Sequence, residues 1–392
     1  MSSEAGTDAA DRIRAAAERR RQLLVDDVVE LIDLETPSDD VALLDDGLAS
    51  IRSWLERTIG PAAEEKVVRT EGAAAHLLLE YPAPAATEPS GTRWVAALCH
   101  YDTVWPEGTI AERPAAVAGD RITGPGAFDM KAGLVQFAHA LATVDELGLP
   151  RPGVRLVLNG DEEIGSLTSR ELIESVAAEC EAVLVFEASG GAAVKTARKG
   201  VGMFDVEVTG VEVHAGLNPT EGASAVDEMA HIVLALHAAS DLDAGTSVNV
   251  GVVSGGTRRN VKAGYVRALV DVRVSSLAEA ERIDRVLAAL TPVNPLAAIS
   301  IEGGWNRPVM ERTAATAALF EIAHVAAADL GFELREVSVG GASDGNFASA
   351  LGKGVLDGLG AVGDGAHARH EWVSIDGMVE RTALAAAVLT RL

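Results

Sequence analysis

Cysteine is scarce in this sequence, which has only Cys99 and Cys180 in 392 residues. Two thiols are too few for a disulfide framework or for a zinc site made of four thiolates, although a single bridge is arithmetically possible. We expect both cysteines to be buried, reduced thiols. Because only nine histidines occur, their positions carry more information than those of the abundant acids.

Basic residues are also few, since 33 Lys and Arg face 58 Asp and Glu and the net charge is −25. Such an acidic surface repels nucleic acid and anionic lipid headgroups, so we expect neither as a partner. The first residues, MSSEAGTDAADRIRAAAERRRQ, lack the apolar segment of a secretory signal. No run of about 18 apolar residues is present to span a membrane. These absences predict a cytoplasmic protein.

The remaining composition is typical of a folded globular protein, with 48% hydrophobic and 23% charged residues. At about 150 residues per domain, the length predicts two to three domains. The first part of the chain shows apolar runs at 94–98, 154–158 and 182–186, with a helical pattern at 169–180 between the last two. This is the pattern of βαβ crossovers in a parallel sheet. One helix is predicted over 8–34, and a surface loop over the proline-rich segment 82–91.

The pattern changes after residue 200. Strands are predicted at 203–209, 247–253, 265–274 and 299–301. A helix at 224–239 separates the first two strands, and a second helix, which begins at the capping box Ser276-x-x-Glu279, separates the last two. The order βαββαβ indicates a ferredoxin-like insert. A long helix over 311–330 then resumes the α/β character. We therefore predict a catalytic α/β/α domain formed by 1–198 and 308–392, with a mostly parallel sheet, and an inserted domain at 199–307.

Histidine and acidic side chains follow the predicted strands of the first domain or occupy glycine-rich loops. They are His100 and Asp102, Asp129, Asp161-Glu162-Glu163, Glu187 and His367. The carboxyl ends of parallel strands form the edge where ligands bind in open α/β sheets. Each motif alone also fits an ordinary turn or helix cap, but together they meet the demands of a two-metal site. Histidine and carboxylate ligands without thiolates favour zinc, and they also accept cobalt or manganese.

These motifs resemble the dinuclear metallopeptidase family of aminoacylases, succinyl-diaminopimelate desuccinylases and bacterial glutamate carboxypeptidases, most of all the carboxypeptidase G class. The resemblance extends from about residue 24 onward. It implies two metal ions, with Asp129 as the bridging ligand. The other ligands that it implies are His100 and Glu187 for one ion, and Glu163 and His367 for the other. Glu162 resembles the general acid/base that activates a metal-bridged hydroxide, and Asp102 the acid that orients His100.

The resemblance has further implications. The bond after Asp129 is expected to be cis. His367 is preferred as a ligand over His370 because of its spacing to Glu371 and Trp372, but His370 remains an alternative. The inserted domain is expected to act as a lid and to form a homodimer, in which His214 of one subunit stabilises the oxyanion in the other. Relatives usually have a small polar residue where Val213 stands.

Substrate contacts are implied for a further set of residues: Asn249, Asn260, Arg273, Arg307 and Gly341. Arg273 is a candidate for holding a substrate carboxylate with two hydrogen bonds, although an arginine at a strand end can also simply extend into solvent. The stretch Arg258-Arg259-Asn260 departs from the family pattern by adding charge and losing a proline. The resemblance therefore leaves the identity of the substrate open.

The expected activity is hydrolysis of an amide bond next to a C-terminal or N-acylated amino acid that has a free carboxylate. An alternative is an N-acyl-amino-acid amidohydrolase or desuccinylase. An alternative of another class is a dimeric binding protein that keeps the fold without turnover.

Overall fold

The computed structural model describes residues 2–84 and 93–392, with side chains from residue 8 onward. Residues 85–92 of the predicted surface loop lie outside the described residues. The chain divides into two compact units. The first comprises Met1–Ala197, Arg312–Val339 and Ser343–Leu392, and the second comprises Arg198–Glu311 and Gly340–Ala342. The division runs close to the boundaries expected after residues 198 and 307, whose assignment as domain boundaries stays a prediction.

The bounds of the regular elements are as follows. The helices are α1 Ser2–Arg19, α2 Arg21–Ile32, α3 Val41–Ile59, α4 Thr109–Glu112, α5 Ala132–Glu146, α6 Arg170–Glu179, α7 Ala225–Ala238, α8 Leu277–Ala288, α9 Ala314–Leu330, α10 Gly345–Ala350 and α11 Ile375–Leu389. The strands are β1 Glu64–Val68, β2 His76–Tyr81, β3 Trp94–His100, β4 Ala116–Ala118, β5 Arg121–Thr123, β6 Gly153–Asn159, β7 Ala182–Val185, β8 Val194–Arg198, β9 Gly200–Thr209, β10 Ser247–Gly255, β11 Tyr265–Val274, β12 Ala298–Arg307, β13 Glu336–Val339, β14 Gly354–Leu356, β15 Gly363–Asp364 and β16 Trp372–Ser374.

The first unit is built on a six-stranded sheet in the order β1-β2-β6-β3-β7-β14. Strands β6, β3, β7 and β14 run parallel, while at one edge β2 pairs antiparallel with β6 and β1 pairs antiparallel with β2. The central strands are buried along nearly their whole length, which is why their sequences are continuous apolar runs. Helix α5 is buried along most of its length and packs against α11. The predicted α/β domain with a mostly parallel sheet is confirmed.

Two short sheets complete this unit. One is antiparallel and has the order β15-β16-β5-β4, and the other pairs β13 with β8. Cys99 and Cys180 are free and buried, as expected. None of the described helices combines the length and the apolar character needed to cross a bilayer.

The helix predicted over 8–34 is instead two helices, α1 and α2, which meet at Arg20. The guanidinium of Arg20 reaches Glu146 at 2.6 Å and His139 at 3.3 Å, both on α5. These contacts lie more than 100 positions away in the chain, so the local helical periodicity does not reveal them.

The second unit has the predicted order βαββαβ, formed by β9, α7, β10, β11, α8 and β12. Its antiparallel sheet runs β10-β11-β9-β12, which is the strand order of a ferredoxin-like fold. Alternate residues of β11 are buried, and they share one apolar core with α7 and α8. Strand β12 continues to Arg307, beyond the short strand expected near 299–301. Of the predicted capping box, Ser276 accepts a hydrogen bond from the Glu279 N–H, while the Glu279 carboxylate contacts Thr246 and Arg282 instead.

Candidate metal centre

Three adjacent strands of the first unit end at the same edge of its sheet. Strand β3 ends at His100, whose register partner on β6 is Asn159, and β7 ends two residues before Glu187. The acidic turn Asp161–Glu163 follows β6 after a single residue, Gly160. Because parallel strands deliver their carboxyl ends to one place, residues distant in sequence meet there. This edge is the candidate site.

A first group of ligand atoms comes from His100, Asp129 and Glu187. The His100 Nε2 atom lies 3.3 Å from Asp129 Oδ1 and 3.3 Å from Glu187 Oε1. His100 and Glu187 are buried, with 2% and 8% of their surfaces exposed. One imidazole and two carboxylates therefore point at a common position.

A second group comes from Asp129, Glu163 and His367. The His367 Nε2 atom lies 2.9 Å from Glu163 Oε2 and 3.3 Å from Asp129 Oδ2. Asp129 thus offers one oxygen to each group, which is the arrangement of a carboxylate bridging two cations. His370 is exposed and belongs to neither group among the described residues.

The donor set fits two divalent ions. Each group combines an imidazole nitrogen with carboxylate oxygens, as zinc, cobalt and manganese accept. In addition, Glu163 Oε1 is buried and has no hydrogen-bond partner among the described residues. A buried carboxylate oxygen without a partner is costly unless a cation lies beside it.

The close approach of these groups shifts their pKa values. Burial would lower the pKa of His100, but hydrogen bonds to neighbouring carboxylates raise it well above its usual value. Burial would raise the pKa of Asp129, but hydrogen bonds from His100 and His367 lower it instead. Burial raises the pKa of Glu163 to about 7, and hydrogen bonds to Asp129 and Glu163 raise that of His367 to about 10. The surroundings therefore favour positive charge at both imidazoles, and a bound cation would take the place of these protons.

Asp102 connects His100 to the acidic turn. It is buried, with one carboxylate oxygen 3.4 Å from His100 Nδ1. The same carboxylate accepts hydrogen bonds from the backbone N–H of Glu162 at 3.2 Å and of Glu163 at 3.1 Å, and from Ser38 Oγ at 2.8 Å. Asp102 thus helps to fix the positions of two implied ligands and of the implied general base.

The three consecutive acids of the turn have different surroundings. Asp161 is buried and accepts hydrogen bonds from the backbone and hydroxyl groups of Thr168 and Ser169. Glu163 faces His367. Glu162 is half-buried and belongs to neither ligand group found among the described residues. One acid therefore shapes the turn, one is a ligand candidate, and Glu162 keeps the proton-transfer role only as what the resemblance implies.

The loop that carries Asp129 is held by Glu371, to which the sequence analysis assigned no role of its own. The bond from Asp129 to Met130 is cis, as the resemblance implies. The buried Glu371 carboxylate accepts hydrogen bonds from the N–H groups of Gly126, Phe128 and Asp129, and from Trp105 Nε1. The only signal for Glu371 in the sequence was its position four residues after His367.

The implied oxyanion residue, His214, and one implied substrate residue, Asn260, lie on paired segments of the second unit. His214 is exposed and forms an isolated bridge with Val261, and the Ala215 N–H donates to the Asn260 carbonyl at 2.9 Å. The His214 Nδ1 atom accepts from the Gly216 N–H at 3.1 Å. In the neutral ring this contact leaves the proton on Nε2, the nitrogen that can donate to an oxyanion.

The other implied substrate residues have varied settings. Asn249 and Gly341 are exposed. The Arg273 guanidinium makes two hydrogen bonds of 2.9 Å to Asp271 on the same strand. Arg307 is buried, with 3% of its surface exposed. The substrate-binding roles of these residues stay predictions.

The chain is similar to known proteins over most of its length. Residues 96–391 match the family model described as peptidase family M20/M25/M40. The chain is 27% identical over 387 residues to carboxypeptidase G2 of Pseudomonas sp. (strain RS-16), covering 96% of this chain and 91% of that protein. It is 32% identical over 202 residues to acetylornithine deacetylase of Myxococcus xanthus, covering 48% of this chain and 50% of that protein.

Solved structures share the fold. One is aminopeptidase PepT from Bacillus cereus, with a TM-score of 0.75 and 21% identity over 94% of this chain and 98% of that one. Another is the M20 family metallo-carboxypeptidase Sso-CP2 from Sulfolobus solfataricus, with a TM-score of 0.71 and 17% identity over 93% of this chain and 97% of that one.

Proposed function

Because this chain belongs to peptidase family M20/M25/M40, and is therefore a metallopeptidase or related amidohydrolase, we propose a narrower activity. It hydrolyses the amide bond next to a C-terminal or N-acylated amino acid that has a free carboxylate, as a glutamate carboxypeptidase does. The observation that carries the proposal is the pair of ligand groups that share Asp129, with Glu162 beside them in neither group.

Two divalent ions, with zinc the first choice and cobalt or manganese as alternatives, would be held by these groups. His100, Asp129 and Glu187 would bind one ion, and Asp129, Glu163 and His367 the other. When bound, such a pair polarises a substrate carbonyl and makes hydroxide available at neutral pH.

The chain's own residues then transfer a proton of the attacking water. Glu162 accepts it from the attacking water and returns it to the leaving amine nitrogen as the C–N bond breaks. Asp102 keeps His100 and the acidic turn in position meanwhile. His214, contributed by the partner subunit, donates a hydrogen bond to the oxyanion.

A free substrate carboxylate needs a cationic partner in this acidic protein. Arg258 and Arg259 are exposed, and neither makes an ion pair with any described residue. They lie in the segment that pairs with the His214 loop through Val261 and Asn260. Arg273 and Arg307 are the other proposed carboxylate contacts, and Arg273 would have to exchange Asp271 for substrate. We expect the double variant Arg258→Ala, Arg259→Ala to raise KM more for substrates with two carboxylates than for those with one.

We also propose a homodimer formed through the second unit. Strand β10 is an edge strand of its sheet. Four apolar side chains on β10 and on helix α7 are exposed, namely Val226, Leu234, Val252 and Val253. They lie at or beside a groove of about 500 Å³ that is lined by apolar side chains of α7, β10 and β11. An exposed apolar edge strand of this kind is a surface on which another chain is expected to pack. Light scattering should give twice the chain mass for the wild type and a lower mass for Leu234→Glu.

A cytoplasmic location also stays a prediction.

The alternative within the class is an N-acyl-amino-acid amidohydrolase or desuccinylase, which the similarity to an acetylornithine deacetylase favours. The alternative of another class is a dimeric binding protein without turnover.

One experiment separates the three candidate functions. Purified protein is analysed for metal content, loaded with zinc, cobalt or manganese, and assayed on folyl- and peptidyl-glutamate against acetyl- and succinyl-amino acids, with and without chelator. Chelator-sensitive release of glutamate supports the proposal, preference for acyl-amino acids supports the amidohydrolase, and absence of both metal and hydrolysis supports the binding protein.

A further inference from the structure

The Glu371 carboxylate has an unusual number of donors for a group with 1% of its surface exposed. Its Oε1 atom accepts from the N–H of Phe128 at 2.8 Å and of Asp129 at 3.1 Å. Its Oε2 atom accepts from the N–H of Gly126 at 3.0 Å and from Trp105 Nε1 at 3.1 Å. Four hydrogen bonds offset much of the cost of burying this charge, and each is stronger than a bond between neutral groups.

The place of Glu371 in the chain connects this carboxylate to His367. The two residues share one short loop, in which Gly365 and His367 adopt positive φ angles of 87° and 60°. The imidazole of His367 contacts the Asp129 carboxylate, while the Glu371 carboxylate accepts a hydrogen bond from the Asp129 backbone N–H. One loop therefore contacts the shared ligand twice.

Trp105 brings in the segment that follows His100. Its indole donates to Glu371, and the Arg113 guanidinium lies 4.0 Å from the centre of its ring. Arg113 in turn donates to the Arg369 carbonyl at 2.7 Å, in the same loop as Glu371. Both ends of the segment 105–113 are thus fastened to the loop that carries His367.

We infer that Glu371 is a positioning residue for the metal centre. It holds Asp129 and His367 at the separation that the second ligand group requires. This inference rests on the proposed function, because it presupposes that the group binds an ion. Glu371 is not among the ligands themselves. Its effect passes through the backbone of the Asp129 loop, as outer partners of metal ligands are known to act.

The test is metal binding by the full-length protein, measured without substrate. Metal-free wild type, Glu371→Gln, Trp105→Phe and Glu228→Gln are each titrated with Zn²⁺ in a calorimeter, and the visible absorption of the Co²⁺ forms is recorded. Glu228 is the matched control, since it is also a buried carboxylate that accepts two backbone N–H bonds, at 2.7 and 2.8 Å, but in the second unit.

We expect wild type and Glu228→Gln to bind two ions with the same affinities. In Glu371→Gln one ion should bind about 10–100-fold more weakly, with a changed Co²⁺ spectrum. Trp105→Phe, which removes one donor only, should show a smaller loss in the same direction, and it decides the question if Glu371→Gln does not fold. Unchanged affinities in both variants beside a wild type that binds two ions would overturn this inference alone. A wild type that binds no ion would overturn the proposed function as well.

Discussion

Exchanging Glu162 or its neighbour Glu163 for glutamine should separate proton transfer from metal binding. The two residues are adjacent, and their backbone N–H groups are both held by Asp102. Only Glu163 has a carboxylate oxygen in a ligand group, 2.9 Å from His367 Nε2. The same change of carboxylate to amide would therefore remove the proposed ligand at one position and the proposed proton acceptor at the other.

The expected magnitudes follow from these settings. A general base contributes roughly 10²–10⁴-fold to the rate, equivalent to about 3–5 kcal/mol of the activation barrier, and glutamine retains the shape of Glu162 but none of its basicity. Glu162→Gln should therefore lose that factor in kcat while both ions stay bound. Loss of a ligand should cost more than loss of an outer partner, which costs about 10–100-fold in metal affinity. Glu163→Gln should thus bind one ion at least that much more weakly.

The assay combines steady-state kcat at saturating zinc with elemental analysis of the same samples. The substrate is the best one found in the hydrolysis screen. If Glu162→Gln turned over within about threefold of wild type with both ions present, its assignment as general base would be wrong. If Glu163→Gln retained both ions at unchanged affinity, its assignment as a ligand would be wrong.

Three further predictions concern other parts of the molecule. Asp102→Asn removes the charge beside His100 and should weaken zinc binding about 10–100-fold in a calorimetric titration; unchanged binding would contradict its orienting role. Arg273→Lys keeps the charge but loses the two-pronged contact, so selectivity for a substrate with a free carboxylate over its amide, measured as a ratio of kcat/KM, should fall; an unchanged ratio would exclude Arg273 as the anchor. Hydrogen bonds from Arg282 and Thr246 lower the pKa of Glu279 to about 2 from its usual 4.5. The folded state therefore gains stability from this carboxylate above pH 4.5 and loses it as the pH falls toward 2. Thermal melts should show a difference between wild type and Glu279→Gln at neutral pH that disappears near pH 2; a difference independent of pH would refute this reasoning.

Much of the metal centre could be predicted because it depends on where strands end. His100 and Glu187 follow apolar runs that are buried on both sides, and such runs identify themselves by composition. Once the strands are parallel and adjacent, their carboxyl ends must meet, so residues 87 positions apart become neighbours 3.3 Å apart. The family resemblance added Asp129 and His367 as candidate ligands, and both come from loops, which have no periodicity to read.

Side-chain partners in the loops were not predictable in the same way. Asp161, Glu162 and Glu163 are three similar acids in a row, and only the folded turn assigns Asp161 to Ser169 and Glu163 to His367. The pairing of Arg273 with Asp271 likewise depends on rotamers that the strand pattern leaves open.

The sequence by itself determined the two architectures, the strand ends and the residues available there, because burial of apolar runs and the periods of helix and strand are local properties. The tertiary structure alone decided which polar groups meet. Glu371 illustrates the difference, since its donors lie 242 to 266 positions earlier in the chain. Hydrogen bonds depend on distances of about 3 Å and on direction, and only the assembled loops set those.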